Sequence, residues 1–277
     1  MILPAWYGAV SQAPVEIPVV STTHAHTAEQ VATPTPSGGY VAKALELGAV
    51  QVYANEVADG QWKDESGNGH HATLVGATVE EAGGPTSGLP RYLKLDGVDD
   101  RASVPHHAQI SLGADDSGTH FLFLRRPAGF GNSDSWATAF SKGDGDYEFR
   151  RESDSADNMR FDPQASSGTE FAVPADEWAV FAPLNDPYGG ASNESEKFIY
   201  ERGEQGRNLL QQSTRTSYLY DGGTLPFQFG ARNTGTGDER YFDGDIAGYA
   251  LFPNILLNTT QLEELYQAAQ EEPPSPD

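Results

Sequence analysis

The residues in this sequence best suited to binding chemistry are carboxylates and aromatics set in turns. Asp96, Asp99 and Asp100 fall within Asp96-Gly97-Val98-Asp99-Asp100, and Asp144 and Asp146 within Gly143-Asp144-Gly145-Asp146. Such loops offer hard oxygen ligands of the kind calcium takes. An Asp-rich turn is as a rule only a solvated turn, so calcium stands as the alternative reading. Trp136, Tyr188 and Tyr218 lie in loop-like or strand-end surroundings, where an aromatic face could carry a sugar ring. Trp62 and Trp178 read instead as core or strand residues. His24 and His26 at i, i+2 would point the same way in an extended chain. If three chains met there, six imidazoles could enclose a transition metal; the plainer reading is a polar stretch.

Catalytic constellations are weaker. A retaining glycosidase needs two carboxylates about 5 Å apart across the sugar. Glu80 and Glu81 are adjacent, so in a strand they face opposite ways. Glu194 and Glu196 have the right spacing but sit in a polar, turn-like stretch, and Glu263-Glu264 is explained by a helix. Asp243 and Asp245 share one strand face. The sequence has no cysteine, no Gly-x-Ser-x-Gly and no His-Glu-x-x-His. The expectation is a protein that is not an enzyme.

The elements that would position these residues read as short strands. The chain has 277 residues, 38% hydrophobic, with 30 glycines and 18 prolines. That is enough for one large β domain and a tail. Forty acidic residues against 17 basic ones give a net charge of -23. A field of that sign repels phosphate backbones, which argues against nucleic-acid binding. No stretch approaches the roughly 18 apolar residues needed for membrane insertion.

Residues 1–47 are rich in Pro, Thr, Ala and Val without a steady period, and read as an extended N-terminal arm. Trp6, Tyr7, Ile17 and Val19 are more apolar than a free linker needs, which suggests that the arm docks onto a partner. From about residue 48 strands are expected at 49–54, 91–95, 102–105, 120–124, 138–142, 147–150, 178–181, 197–200, 217–220, 227–230 and 245–252. The run His120-Phe121-Leu122-Phe123-Leu124 suits a strand buried on both faces. One helix is expected near 260–269, with Thr260 and Glu263 as a capping box, and residues 271–277 as a loose tail.

Several blocks in order resemble the laminin-G-like, concanavalin A-like lectin/glucanase jelly rolls. They are Asp64-Glu65-Ser66-Gly67-Asn68-Gly69, Tyr92-Leu93-Lys94-Leu95-Asp96-Gly97, Ser141-Lys142-Gly143 and Tyr241 to Phe252 followed by a small helix. The resemblance covers roughly residues 48–270. It implies an all-β, antiparallel jelly-roll β-sandwich with one short C-terminal helix; related domains hold calcium near a sugar-binding edge. Thr23-His24-Ala25-His26-Thr27-Ala28-Glu29 is similar to segments of tailed-phage virion proteins. Together these suggest a structural or adhesion protein of a phage particle, attached through its arm to other virion proteins, forming a homo-oligomer and displaying a domain that binds cell-surface glycans. The alternatives are a free extracellular lectin and a glycoside hydrolase.

Overall fold

The computed structural model describes residues 39–112, 116–127, 136–143, 147–151, 158–162, 170–172, 175–186, 194–203, 209–216 and 223–271. The arm residues Trp6, Tyr7, Ile17, Val19, His24 and His26 lie outside the described residues. So do Asp144, Asp146, Tyr188 and Tyr218, and the strand expected at 217–220.

In chain order the first strands are β1 (Gln51–Tyr53), β2 (Val57–Ala58), β3 (Gln61–Trp62), β4 (Ala72–Val75), β5 (Thr78–Glu80), β6 (Tyr92–Asp96) and β7 (Arg101–Val104). Then come β8 (Gly118–Arg125), β9 (Thr138–Lys142), β10 (Tyr147–Arg151), β11 (Asn158–Asp162), β12 (Glu170–Ala172) and β13 (Ala179–Asp186). The last are β14 (Glu194–Gly203), β15 (Leu209–Thr216), β16 (Phe227–Phe229), β17 (Arg232–Asn233), β18 (Asp238–Glu239) and β19 (Asp243–Pro253). Among the described residues they form two large sheets, both antiparallel. One runs β15-β14-β13-β8-β19-β6-β5, with β1 also paired to β19. The other runs β12-β11-β10-β9-β16-β7-β4-β3-β2, and β17-β18 is a separate hairpin. The fold is an all-β sandwich, as the strand spacing implied.

The space between the sheets is filled mainly by rings. Tyr53, Trp62, Phe140, Phe149, Phe227, Phe229 and Tyr249 share one buried cluster. Phe227–Phe229 and Phe229–Tyr249 meet edge to face at 4.9 Å, the arrangement that ring quadrupoles favour. A second core lies on the outer face of the first sheet, under the helices. Strand β8 serves both. Leu122 and Leu124 enter the inter-sheet core, and Phe121 and Phe123 the outer one. This is why its sequence shows an unbroken apolar run rather than alternation. Strand β19 has the same double burial, corrected by a bulge at Gly248, whose φ of +50° suits glycine. Ile246 and Tyr249 thereby both face inward, with Ala247 and Ala250 outward.

Helix α1 (Gly39–Glu46) falls within the stretch that composition assigned to the extended arm. Eight residues are too few to be helical alone in water. Tyr40, Val41 and Ala44 become helical by burial in the outer core beside α2 (Thr259–Gln270). The helices meet closely enough that a Cβ on Gly39 would lie 2.5 Å from the Ala268 carbonyl oxygen. Lys43 bridges Glu46 and Glu264 at 3.1 and 3.2 Å. Helix α2 begins two residues before the expected capping box. Asn258 accepts from the amides of Thr260 and Gln261, and the Gln261 side chain accepts from the Asn258 amide. Asn is among the strongest N-caps, and the stagger lets Leu262 and Leu265 both face the core.

His120, at the heart of β8, is wholly buried. It stacks on Phe140 at 4.9 Å, and its Nδ1 lies 2.8 Å from the Tyr249 hydroxyl. Burial pushes its pKa from 6.5 down to about 3. Since the folded value is depressed, the unfolded chain takes up the proton first. Stability is therefore complete above pH 6.5 and is lost as pH falls toward 3, by on the order of 5 kcal/mol in all. Urea unfolding between pH 7 and about 4 should show a slope of about one proton from this group, and His120→Phe should remove it. An unchanged slope in the variant would refute the assignment.

Candidate functional site

The face of the second sheet turned away from the core is polar. Register places Glu148 (β10) beside Ser141 (β9), then Gln228 (β16), Ser103 (β7) and Thr73 (β4) in one row. The alternating residues Phe149, Phe140 and Phe229 point into the core. The hairpin β17-β18 covers the middle of the row. Ser141 donates to the Ala231 carbonyl at 2.9 Å, and Gln228 Nε2 to Asp238 Oδ1 at 3.0 Å. Asp238 also accepts from Asn233 at 2.9 Å and pairs with Arg101 at 2.7 Å.

Beside the hairpin stands the one sequence-expected aromatic that is described. Trp136 is half-buried. The Arg150 guanidinium lies 4.0 Å from its ring centroid and that of Arg240 5.6 Å, so cations already occupy part of its π surface. Glu148 ties this cluster together. It reaches Arg150 at 2.6 Å, Arg240 at 3.5 Å and Arg232 at 3.8 Å. Glu239 adds contacts to Arg240 at 3.3 Å and Arg232 at 3.8 Å. The result is one carboxylate shared by three guanidinium groups against an indole.

None of Glu148, Arg150, Arg232, Arg240, Gln228 or Asp238 stood out in the sequence. The available signals were indirect. Tyr147-Glu148-Phe149-Arg150 alternates, which puts Glu148 and Arg150 on one face, and 12 of the 17 basic residues are arginine. The fold-back of β17-β18 has no local signature.

Asp96, Asp99 and Asp100 are brought together as the sequence suggested. One oxygen from each lies within 4.8 Å of the others at the β6–β7 turn, and they are the one such group among the described residues. Asp96 Oδ1 accepts from the amides of Val98 at 2.8 Å and Asp99 at 3.3 Å, and Asp100 Oδ2 from the Asp96 amide at 3.1 Å. These backbone bonds hold the Asp96 carboxyl below its usual range. Burial, followed by the charge of Asp96, raises that of Asp100. Asp243 lies opposite Asp96 in the ladder and is raised by burial, then by Asp245 and Asp96. The donors are hard oxygens and suit calcium rather than a soft metal. Their bonds to the turn's own amides account for much of the arrangement without an ion.

The carboxylate pairs considered for catalysis fall on separate elements. Glu194 and Glu196 lie within strand β14 rather than in a turn, paired to Thr216 and Thr214. Glu81 pairs with Arg91 at 2.6 Å, and Asp245 with Arg125 at 2.8 Å. That arginine sits 4.7 Å from the Trp178 centroid and 5.0 Å from that of Tyr92, and both rings pack against the outer core, which agrees with the reading of Trp178 as a core residue.

No protein-family model and no curated protein sequence matches the chain. Solved structures do resemble it. The binding domain of Paraclostridial Mosquitocidal Protein 1 aligns at 12% identity and TM-score 0.50, over 79% of this chain and 51% of that one. The botulinum neurotoxin serotype G binding domain aligns at 15% and 0.53, over 79% and 50%. Trypanosoma rangeli sialidase in complex with sialic acid aligns at 15% and 0.54, over 85% and 33%. The chain thus spans about half of each toxin domain and a third of the sialidase. At these identities the likeness shows the fold alone, a β-sandwich.

Replacing Glu148 by Gln takes the shared counter-charge from Arg150, Arg232 and Arg240. Because the latter two are partly exposed, the cost should be about 2 kcal/mol rather than that of a fully buried pair. Urea denaturation of Glu148→Gln checks this, and a loss under about 0.5 kcal/mol would show that the cluster does not depend on Glu148.

Proposed function

We propose that this chain is a non-catalytic binding module that holds a glycan on the polar outer face of the nine-stranded sheet, beside Trp136. The observation that carries the reading is the meeting there of a half-buried indole, the part-exposed guanidinium groups of Arg232 and Arg240, the acids that pair with them and the Asn233 amide. A sugar offers apolar C–H faces and hydroxyls that both donate and accept, and this set answers both needs. The neighbours support it by analogy of fold, since two are named as binding domains and the third was solved with sialic acid. A glycoside hydrolase is the rival reading, and release of sugar product by the purified chain would favour it. Probing a glycan array with the full chain should give saturable binding to at least one glycan. Trp136→Ala should weaken that binding by about tenfold or more while leaving the circular-dichroism spectrum intact. Equal binding by parent and variant would move the site elsewhere.

The finer reading is a laminin-G-like head on a phage particle, attached through the N-terminal arm to other virion proteins. It rests on the sequence blocks, on Thr23 to Glu29, and on the apolar residues Trp6, Tyr7, Ile17 and Val19. Weak sugar affinity would then be multiplied by many copies. Gold-labelled antibody against residues 50–270 should decorate purified particles at regular positions. Bare particles, with the protein free or on cell surfaces, would favour an extracellular lectin.

A further inference from the structure

Four of the seven histidines gather at one corner of the sandwich, although the pairs His70-His71 and His106-His107 read in sequence as surface turns. His70 is buried, and its ring lies 4.6 Å from that of His107. Three of these imidazoles are used as hydrogen-bond acceptors at Nδ1. The Asp64 amide donates to His71 at 3.1 Å, and the Gln109 amide to His107 at 3.2 Å. The latter bond caps the 3-10 turn Ala108–Ile110. Lys142 Nζ lies 3.1 Å from His106 Nδ1, and an ammonium can only donate. Lys142 also donates to the carbonyls of Gly223 at 2.8 Å and Leu225 at 2.5 Å, so a third loop meets the same point.

We propose that this corner is a proton-operated latch, in which neutral imidazoles that accept at Nδ1 hold the 64–71 and 105–111 loops closed and protonation releases them. An imidazolium carries N–H at both nitrogens and has no lone pair left to accept. Protonation therefore breaks each of the three bonds. It also sets a second cation against Lys142 and, if His70 follows, one imidazolium against another across a tilted ring contact of 4.6 Å. The charged groups acting on His70 and His106 are few. Burial lowers His70, with Asp64 and the hydrogen bond to Gln109 Oε1 at 3.1 Å opposing, and His107 and His71 adding to the fall. Burial, Lys142 and His107 lower His106. For His70 and His106, folded values below the unfolded one mean stability held above about pH 6.5 and lost below it. The same bonds argue against a metal at the outer nitrogens, because a neutral ring that accepts at Nδ1 keeps its proton on Nε2.

Hydrogen exchange on the full chain, corrected for the intrinsic pH dependence, tests the latch. Between pH 7.5 and about 5, amides of 64–71 and 106–111 should exchange about tenfold faster, while those of β8 and β19 keep their protection. Asn and Gln accept without titrating, so the triple variant His71→Asn, His106→Gln, His107→Asn should hold the acceleration below about threefold. Should that variant fold poorly, His107→Asn alone, which keeps an N-cap, should protect the Gln109 amide. Equal exchange at both pH values, equal acceleration in the variants, or simultaneous loss in β8 and β19 would each overturn the proposal.

Discussion

Strands β8 and β19 lie side by side with both faces buried, and most of the architecture follows from that constraint. A strand with no wet face must be given two cores. One is the ring-filled space between the sheets, and the other is a layer that two short helices close. The bulge at Gly248 keeps β19 aligned with both. His120 belongs to the same constraint, since it occupies an inward position that would otherwise take a hydrophobic residue. Among the described residues its polar partner is the Tyr249 hydroxyl, and none of its surface meets solvent.

The second sheet obeys a different rule. Its inner face is aromatic and its outer face polar, so its strands alternate. Alternation alone would leave that outer face bare to water. The β17-β18 hairpin turns back over it, and Asp238 fastens hairpin to sheet through Gln228, Asn233 and Arg101. What remains beside the hairpin is a cluster in which arginine planarity matters. Guanidinium groups stack on the indole and share one carboxylate, which a lysine ammonium would do less well. In a chain of net charge -23 this is a local concentration of cations, and it gives one face a character unlike the rest.

Much of this was legible in the sequence where a single period ruled. The apolar run at 120–124 announced a doubly buried strand, and the alternation at 147–150 put Glu148 and Arg150 on one face. The clustering of Asp96, Asp99 and Asp100 followed from ordinary turn chemistry. Helix α1 was not legible, because residues 39–46 owe their conformation to α2 rather than to their own propensity. The cap of α2 was misplaced because Asn258-x-x-Gln261 and Thr260-x-x-Glu263 are both good boxes, and only the packing of Leu262 and Leu265 chooses between them. Glu148 and its arginines escaped notice because β10 and the β17-β18 hairpin are far apart in the chain. The histidine corner escaped for the same reason, with its rings drawn from two separate turns.

The lid formed by α1 also bears on how the protein should be handled. Composition invites a cut near residue 47, where the strand-rich texture begins. Such a cut would remove Tyr40, Val41 and Ala44 and leave Phe121 and other floor residues of the outer core facing water. The fragment would carry an oily scar, and scars of that kind find each other. Particle sizes measured on it would describe the surgery, whereas a boundary placed before Gly39 would keep Tyr40, Val41 and Ala44 over the outer core.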